Sequence, residues 1–463
     1  MNKDSSSLKS KKSSKHSERI TFVVSSLRGG GMERVVSVMA NYWARQGRQV
    51  TIITLNHGDK PVSYELHPNV QHLRLIRTQK ALRIGMFCQR FFQHIIPVSP
   101  RWLKRLLPYA WIIFNAPGKN YLKVKKSLQR IVAKIDEYLT AAIYSDSNRL
   151  FYRVLSKIAE FVPNKFYIER ALIRDIKKTL QSTQPQAIIA FGTTTNIRVI
   201  RAAHAWTIPV VVSERTSPLR PLPGIKLISL VRKCFYPKAS CVVVQTREAG
   251  NFFSSQLGSK VKVITNPVLS RKNQGQTSDN PFPKRNFKKL VAMGRLDHVK
   301  GFDMLIGAFA LVSESHPSWS LEIWGEGPLR THLEAIVDQL GLTRCVRLPG
   351  FSTEPAVVFS RADIFVMSSR YEGFPNALCE AMACGLPAVS FDFPSSAREI
   401  IRNRVDGIIV PREDISALAE AIDILMADDE FRHRLAQRAP EVAERFSINN
   451  VMNKWEQLLF QNE

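Results

Sequence analysis

Two glutamates in the second half of the chain have the spacing expected of a ligand site. Glu372 lies in a loop after an apolar strand, and Glu380 lies eight residues further on, inside a helix that Pro375 starts and Gly385 ends. In a parallel sheet such a loop follows the carboxyl end of a strand, where open α/β sheets bind ligands. The helix start also offers free N–H groups to a diphosphate. Two carboxylates so placed can contact different parts of one long ligand.

Two basic residues follow another predicted strand, at residues 289–293. Arg295 and Lys300 come after Gly294 at its carboxyl end, where cations can stabilise charge that grows on a departing phosphate. The alternative for these cations, as for the two glutamates, is that they are solvated surface residues. Further glycines lie at loops or turns that follow predicted strands, at Gly325, Gly327, Gly350 and Gly373.

The first half of the chain begins with a βαβ unit whose glycines lie at the turn. A strand predicted from Arg19 leads into Gly29, Gly30 and Gly31, and a helix follows. A dinucleotide-binding fingerprint is disfavoured because Arg34 stands where that motif needs a small residue for close packing of helix on strand. A tight turn without a ligand stays open as an alternative.

Polar residues at strand ends recur through residues 186–268. Four short apolar runs are each followed by polar residues, among them Glu214, Arg215 and Asn266. This repetition predicts βα winding with functional side chains at the strand ends. Residues 269–286 are polar and broken by Pro and Gly, which predicts a linker.

The composition indicates a basic cytosolic protein of about two domains. The chain has 463 residues, of which 44% are hydrophobic, enough for two cores. Its formal net charge of +27 implies an acidic partner: nucleic acid, an anionic membrane surface or a phosphorylated substrate. Six cysteines without a C-x-x-C pair predict reduced thiols and argue against zinc and disulfides. The polar N-terminus predicts no signal peptide.

Two segments are unusually basic. Residues 1–18 are rich in Ser and Lys and are predicted to be a disordered tail. Residues 66–160 are predicted to be a helical, aromatic-rich insertion, since no Asp or Glu occurs between Glu65 and Asp136. Its apolar runs are too short to span a bilayer, but such segments suit a helix in the headgroup plane. The alternatives are a solvated insertion packed on the domain and a nucleic-acid-binding surface, for which we find no recognition motif.

Two stretches carry a family resemblance. Glu372-Gly373-Phe374-Pro375, followed by Glu380, resembles the E-x7-E signature of retaining family-4 glycosyltransferases, which have the GT-B fold. Gly294-Arg295-Leu296 followed by Lys300 is similar to a second element of that family. The resemblance implies an α/β fold of two doubly wound Rossmann-like domains that face each other across a cleft.

The resemblance covers residues 19–56, 186–268 and 290–425 and is absent over about 66–160. It implies an acceptor-side domain that contains the insertion, a linker, a nucleotide-sugar-binding domain and a terminal helix that returns to the first domain. The expected bounds of these four parts are residues 19–268, 269–286, 287–440 and 441–463.

The reaction that the resemblance implies is transfer of a sugar from a nucleotide-diphosphate-sugar to an acceptor hydroxyl with retention of configuration. The implied catalytic residues are Arg295, Lys300 and Glu372, with the cations on the diphosphate and Glu372 on the donor sugar. Glu380 is expected on the ribose. The other implied donor-binding residues are Gly294, Gly325, Gly327, Gly350, Gly373, Phe374, Asn376, Ala377 and Leu378. The implied acceptor-side residues are Gly29, Gly30, Gly31, Glu214, Arg215 and Asn266. We expect neither a metal nor a cofactor.

The unbalanced cations after residue 65 favour a lipid-linked glycan acceptor at an anionic membrane surface. We therefore expect a peripheral enzyme of surface polysaccharide or glycoconjugate assembly on the cytoplasmic face of the cell membrane, without a nucleic-acid partner. Three alternatives stay open: a non-catalytic GT-B scaffold that binds a nucleotide-sugar or lipid, a transferase with a soluble acceptor, and a nucleic-acid-binding protein.

Overall fold

The computed structural model describes residues 18–55, 61–75, 169–218, 220, 225–269, 288–394 and 397–460. They form two α/β domains, each built on one parallel sheet with helices packed against it. This confirms the predicted pair of Rossmann-like domains. All but the last residue of the predicted tail, nearly all of the linker and most of the basic insertion lie outside the described residues.

The first domain has a parallel sheet with the strand order β3-β2-β1-β4-β5-β6-β7 among the described residues. Its strands are β1 (Arg19–Val24), β2 (Gln49–Thr54), β3 (Val70–Arg74), β4 (Ala187–Phe191), β5 (Val210–Ser213), β6 (Cys241–Val244) and β7 (Val261–Val263). The central strands are Val- and Ile-rich runs buried on both faces, as a sheet between two helical layers requires. On β1, Phe22 packs with Trp43 in one core, whereas Val23 packs with Ile188 in the other.

Helices cover both faces of this sheet. They are α1 (Gly31–Arg45), α2 (residues 169–183), α3 (Thr193–Ala203), α4 (Ile225–Phe235) and α5 (Arg247–Leu257). Helix α1 buries an apolar stripe that includes Val36, Met39 and Trp43. This stripe fixes the start of the helix, and with it the glycine turn, at the edge of the sheet where β1 ends.

The predicted start of the insertion, at residue 66, is wrong. Residues 66–75 are described, and Val70–Arg74 of this stretch forms β3, which pairs in parallel with β2. The strand was hard to detect because it lies at the edge of the sheet, where only Val70 is buried and no regular apolar pattern is required. The sheet therefore continues beyond the point where the sequence composition changes.

The second domain has a parallel sheet with the strand order β10-β9-β8-β11-β12-β13. Its strands are β8 (Lys288–Met293), β9 (Trp319–Trp324), β10 (Val346–Gly350), β11 (Ile364–Met367), β12 (Ala388–Phe391) and β13 (Gly407–Val410). Its helices are α6 (Phe302–Ser313), α7 (Arg330–Gln339), α8 (Pro355–Phe359), α9 (Asn376–Ala383), α10 (Ala397–Ile400), α11 (Ile415–Ala427), α12 (Asp429–Arg438) and α13 (Val442–Arg445).

The last helix, α14 (Ile448–Phe460), packs on the first domain. Trp455 is 1% exposed in the same core as Trp43, and Arg48 of the first domain binds Glu456 at 2.6 Å. The chain crosses between the domains after α13, because Val442 is still in the core of the second domain. The second domain therefore extends past residue 440, the end predicted from the sequence, because apolar packing rather than composition sets the boundary.

Candidate active site

The candidate site lies where the carboxyl ends of the two sheets face each other. The strand order reverses between β1 and β4 in the first sheet and between β8 and β11 in the second. Open parallel sheets bind ligands at such switch points. The turn at residues 29–31 follows β1, and the loops with Arg295 and Glu372 follow β8 and β11. The predicted residues of both domains therefore lie around one cleft.

Glycines allow the two faces of this cleft to touch. A Cβ on Gly31 would lie 2.5 Å from Nδ2 of Asn376, and a Cβ on Gly373 would lie 2.3 Å from the backbone oxygen of Arg215. Asn266 also donates from Nδ2 to Oδ1 of Asn376 at 2.7 Å. Each contact joins one domain to the other, so the turn after β1 and the start of α9 form a direct interface.

Lys300 and Glu372 form an ion pair within this site. Nζ of Lys300 donates to Oε1 of Glu372 at 2.6 Å, and Oγ of Ser369 donates to the same oxygen at 2.7 Å. The two loops come together at Gly301, which has φ +63° and where a Cβ would lie 2.1 Å from the backbone oxygen of Ser368. The fold thus brings one predicted cation and one predicted carboxylate into contact.

Arg295 is less enclosed than Lys300. Its guanidinium contacts Asp297, with Nε 2.8 Å from Oδ2, and its side chain is 66% exposed, against 22% for Lys300. Water and salt screen an exposed charge more than a partly buried one. Lys300 is therefore better placed than Arg295 to act on the charge of a ligand.

Arg370 positions the loop that carries Glu372, and sequence reasoning missed this role. Its guanidinium donates to Asp303 at 2.7 and 3.0 Å, to Glu413 at 3.2 Å and to the backbone oxygen of His298 at 2.8 Å. These bonds tie the loop after β11 to the segment that carries Lys300. The sequence feature that could have indicated this role is Asp303, an acidic residue three positions after Lys300.

Two predicted glycines, Gly325 and Gly327, are needed for close packing of backbone on backbone, and a third, Gly294, packs against the Lys300 side chain. Gly325 has φ +145° and lies where a Cβ would be 1.9 Å from the backbone oxygen of Gly294. A Cβ on Gly327 would lie 2.3 Å from the backbone oxygen of Leu296, and one on Gly294 would lie 3.0 Å from Cε of Lys300. These glycines therefore set the position of the loop with Arg295 and leave room for the Lys300 side chain.

Replacing Gly325 with Ala should destabilise the second domain, because the new Cβ would overlap a backbone oxygen that cannot move independently. Overpacking of this kind costs about 1–3 kcal/mol, with further strain from the positive φ. Gly307→Ala is the matched control, since Gly307 lies inside α6 and its Cβ would meet only Ile415 at 3.8 Å. Calorimetry should show a lower Tm for Gly325→Ala and an equal or higher Tm for Gly307→Ala. Equal Tm values would contradict the packing role of Gly325.

Glu380, inside α9, is bound to the first domain. Its Oε2 accepts a hydrogen bond from Arg34 at 2.6 Å, and the two side chains are 16% and 18% exposed. Burial raises the pKa of Glu380, and Arg34 offsets part of that increase. The cavity beside this pair measures about 10 Å³, far below the several hundred Å³ of a typical ligand site. A ligand that uses Glu380 must therefore displace Arg34.

Two residues that sequence reasoning missed hold the glycine turn. Oγ of Ser63 accepts from the N–H of Gly29 at 2.7 Å, and the hydroxyl of Tyr64 donates to the backbone oxygen of Gly30 at 3.2 Å. Both residues follow β2 and lie 34 positions from the turn in sequence, and no local motif marks them. Ser63 and Tyr64 therefore hold the glycine turn in place next to the second domain, although they belong to no recognisable sequence motif.

Glu33, at the start of α1, is largely removed from water beside the glycine turn. A Cβ on Gly30 would lie 2.4 Å from its Oε2. Burial raises the pKa of Glu33 to about 7, and its own backbone N–H opposes this only in part. A carboxyl whose pKa is raised on folding contributes stability while it is protonated. This contribution is complete below the ordinary pKa of 4.5 and is lost as the pH rises through about 7.

Glu33→Gln should therefore raise the Tm at pH 8 and change it little at pH 5, where the wild-type carboxyl is mostly protonated. The shift from 4.5 to about 7 sets an upper limit on the order of 3 kcal/mol, reduced by solvent screening, and 1 kcal/mol is about 2–4 °C. Calorimetry at both pH values measures the effect. Glu314→Gln, at an exposed position, is the control and should show no pH-dependent gain. An equal effect of Glu33→Gln at both pH values would exclude the burial of this carboxyl.

Two predicted site side chains do not face the cleft. The carboxylate of Glu214 is bound inside the first domain by Arg232 at 3.1 Å, by the hydroxyl of Thr193 at 2.7 Å and by Tyr236. Leu378 is fully buried in the core of the second domain. In both cases the sequence position was close to the site but the direction of the side chain was wrong. Glu214 turns inward because Arg232 needs a counter-charge, and Leu378 lies on the apolar face of α9.

The remaining predicted residues lie beside the cleft or support it. Phe374 packs edge-to-face on Phe446 at 5.8 Å, at the point where the chain crosses between the domains. Gly350 has φ +101°, and its backbone oxygen accepts from the N–H of Gly325 at 2.8 Å. Ala377 is partly buried and packs against the core of the second domain. These contacts hold the loops of the cleft in place.

Two further observations apply only to the part of the chain that the structure describes. No group of three His, Cys, Asp or Glu side chains within it is arranged to hold a metal ion. No helix within it is long and apolar enough to cross a bilayer. The expectation of a metal-free site stays a prediction.

This cleft between two Rossmann-like sheets defines a protein of the GT-B class. Residues 275–442 match the family "Glycosyl transferases group 1", so the second domain is a group 1 glycosyltransferase domain. Among solved structures, a TarM variant of S. aureus in complex with Fondaparinux, alpha-GlcNAc-glycerol and UDP has a TM-score of 0.67 at 13% identity, covering 96% of this chain and 100% of that one. Anabaena HepE in complex with UDP and glucose has a TM-score of 0.65 at 17% identity, covering 95% and 98%. Both show the same fold.

Curated relatives are similar over parts of their length. An exopolysaccharide phosphotransferase of Streptomyces coelicolor is 30% identical over 61% of this chain, but the match spans only 29% of that relative. A Campylobacter jejuni N-acetylgalactosaminyltransferase, named for a glycan on diphospho-undecaprenol, is 26% identical over 61% of this chain and 77% of the relative. A glycosyltransferase of Methanocaldococcus jannaschii is 30% identical over 50% and 66%. The resemblance is thereby confirmed for the second domain, which is a group 1 glycosyltransferase domain.

Proposed function

We propose that the protein is a retaining family-4 glycosyltransferase that moves a sugar from a nucleotide-diphosphate-sugar to a hydroxyl of a lipid-linked glycan. The observation that carries the proposal is the Lys300–Glu372 ion pair, which lies at the switch point of a group 1 glycosyltransferase domain. A cation suits a phosphate, a carboxylate suits sugar hydroxyls, and the nearby helix α9 adds N–H groups and a positive dipole end.

In the proposed reaction the acceptor oxygen forms a bond to the anomeric carbon on the face from which the diphosphate departs, as the bond from that carbon to the diphosphate breaks. The hydroxyl proton of the acceptor passes to an oxygen of the departing diphosphate. Lys300 leaves Glu372 and binds the diphosphate, where it stabilises the charge that the leaving group gains. The freed carboxylate of Glu372 accepts hydrogen bonds from hydroxyls of the donor sugar. Retention of configuration is proposed from the family resemblance, and we assign no residue as a covalent nucleophile.

Donor binding should also rearrange the second carboxylate. Glu380 accepts from Arg34 in the structure, and the ribose of the donor would take the place of that guanidinium. Because Arg34 belongs to the first domain and Glu380 to the second, this exchange couples nucleotide binding to the separation of the two faces.

The test of the proposed function is incubation of the purified protein with a panel of nucleotide-sugars. Slow release of nucleoside diphosphate from one donor, by transfer to water in the absence of acceptor, is the expected result. Binding of a nucleotide-sugar without release, also after addition of lipid-linked acceptors, would show a non-catalytic scaffold. Absence of both binding and release across the panel would overturn the proposal.

The acceptor class is proposed from the relatives and from the basic segment. Two Campylobacter relatives are named for acceptors linked to diphospho-undecaprenol. No Asp or Glu occurs between Glu65 and Asp136 of this chain, a stretch that also contains Trp102 and Trp111. Each Lys or Arg near an anionic bilayer contributes about 1 kcal/mol, and aromatic rings add burial at the headgroup boundary. A peripheral position on the cytoplasmic face of the membrane follows from this proposal.

Co-sedimentation with vesicles should detect this association. We expect the protein to pellet with anionic vesicles, far less with neutral ones, and to be released by raised salt, because the attraction falls off within a Debye length. A sixfold replacement by Gln should abolish pelleting and leave nucleotide-sugar binding intact. The residues to replace are Arg101, Lys104, Arg105, Lys123, Lys125 and Lys126.

The control removes the same number of cations from exposed positions elsewhere. These positions are Lys177, Lys178, Lys233, Lys262, Arg344 and Arg347. Retained pelleting of the control variant would assign the effect to the basic segment rather than to net charge. Equal pelleting of the wild type with neutral and anionic vesicles, or none with either, would rule out the electrostatic membrane association.

A further inference from the structure

Arg215 is partly buried, and it differs from the most buried arginines of the described structure in having no carboxylate partner among the described residues. Four arginines in the described part of the chain are 9% exposed or less, and each has a carboxylate within 3.1 Å of its guanidinium. These pairs are Arg48 with Glu18 and Glu456, Arg232 with Glu214, Arg370 with Asp303, and Arg432 with Asp429. Burial of a cation costs free energy unless an opposite charge pairs with it, and each of these four arginines has such a partner.

The surroundings of Arg215 are neutral in this part of the chain. One guanidinium nitrogen donates to Oδ1 of Asn266, the guanidinium carbon lies 4.4 Å from the centre of the Phe191 ring, and Nε is buried without an acceptor. The neighbouring carboxylate of Glu214 is already neutralised by Arg232. Burial lowers the pKa of Arg215 to about 9, so the side chain remains charged at neutral pH, and no described carboxylate compensates that charge.

Arg215 lies next to the cleft. Its backbone oxygen lies against Gly373 in the loop beside Glu372, and Asn266 links its guanidinium to Asn376 at the start of α9. The cation is therefore contributed by the first domain to the contact between the two domains. A ligand bound in the cleft would supply a counter-charge at this location.

We infer that Arg215 recognises a phosphate or carboxylate group of a substrate bound across the cleft. The inference rests on the proposed function for the identity of that substrate. The negative group belongs either to the diphosphate of the donor or to an anionic acceptor. In both cases Arg215 would contribute a charge-assisted hydrogen bond from its free nitrogens.

The first test compares the stability of ligand-free variants. Arg215→Gln removes a charge without a partner and should leave the Tm unchanged or raise it. Arg232→Gln is the matched control and should lower the Tm, because it leaves the buried carboxylate of Glu214 unpaired. A decrease for Arg215→Gln as large as that for Arg232→Gln would show a structural role and overturn the inference.

The second test is calorimetric binding in two arms. The donor arm uses UDP, GDP and ADP, and the acceptor arm uses inorganic phosphate and acetate in the presence of the nucleoside diphosphate that binds. Arg215→Gln should weaken binding at least about tenfold in one arm, as the loss of a charge-assisted bond predicts, and Arg215→Lys should keep most of the affinity. Loss in the donor arm identifies the diphosphate, and loss in the acceptor arm alone identifies an anionic acceptor.

Unchanged affinities of Arg215→Gln in both arms would overturn the inference. If no nucleotide binds the wild type, the proposed function fails, whereas phosphate and acetate binding and the Tm comparison still test Arg215 by themselves. The failure of one proposal is therefore distinguishable from the failure of the other.

Discussion

Lys300→Ala is expected to lower the rate of sugar transfer by about 10²–10³. In the proposed mechanism the ammonium group stabilises charge on the departing diphosphate, and loss of such a group costs about 2.7–4 kcal/mol in the transition state. Arg295→Ala should act in the same direction and lie near the lower end of this range, because Arg295 is 66% exposed and Lys300 is 22% exposed. Steady-state kinetics with the donor identified by the nucleotide-sugar panel measures both effects.

A cation of the same domain outside the cleft provides the control for Lys300. Lys288 is paired with Asp429 at 2.8 Å and is 36% exposed, so Lys288→Ala removes an ion-paired lysine without touching the site. Its transfer rate should be close to that of the wild type. Near-normal turnover of folded Lys300→Ala, with Tm as the check on folding, would show that the assignment of Lys300 is wrong.

Glu372→Gln should mainly lower kcat, whereas Glu380→Gln should mainly raise the KM of the donor. Glu372 is placed on the donor sugar, where a contact that strengthens in the transition state affects kcat. Glu380 is placed on the ribose, where the contact is the same in ground state and transition state and affects KM. A hydrogen bond to a charged group contributes about 1.5–3 kcal/mol, so each change should be about 10- to 100-fold.

The ion pair between Arg34 and Glu380 requires its own control. Glu380→Gln removes both the proposed ribose contact and the bond to Arg34, whereas Arg34→Gln removes only the latter. If Arg34 competes with the donor for Glu380, Arg34→Gln should leave the donor KM unchanged or lower it. Identical kinetic profiles of Glu372→Gln and Glu380→Gln would contradict the division of roles between the two carboxylates.

The strand, loop and helix around Glu372 could be predicted from the sequence because short-range features determine them. The apolar runs before and after the loop are β11 and β12, and Gly385 ends α9 with φ +92°. Pro375 precedes α9 rather than beginning it, a difference of one residue. The turn glycines were recognisable for a related reason, since positive φ and close backbone contacts favour glycine at positions such as Gly301 and Gly325.

Other features depend on contacts between distant residues, which no local pattern records. Arg34 and Glu380 are 346 positions apart, and Lys300 and Glu372 are 72 apart. The edge strand β3 forms because β2 offers free backbone groups, although its own sequence lacks a clear strand pattern. The residues could be identified in the sequence, but the residues that they contact could not.

The direction of a side chain was likewise decided only by the tertiary structure. Glu214 and Arg215 are adjacent at the end of β5 and looked equally suited to the cleft. Arg232, on a separate helix, supplies the counter-charge that turns Glu214 inward, and Arg215 lies at the cleft without a counter-charge from the residues that the structure describes. The types and order of the functional residues were therefore readable from the sequence, whereas their pairing depended on charges that only the folded chain brings together.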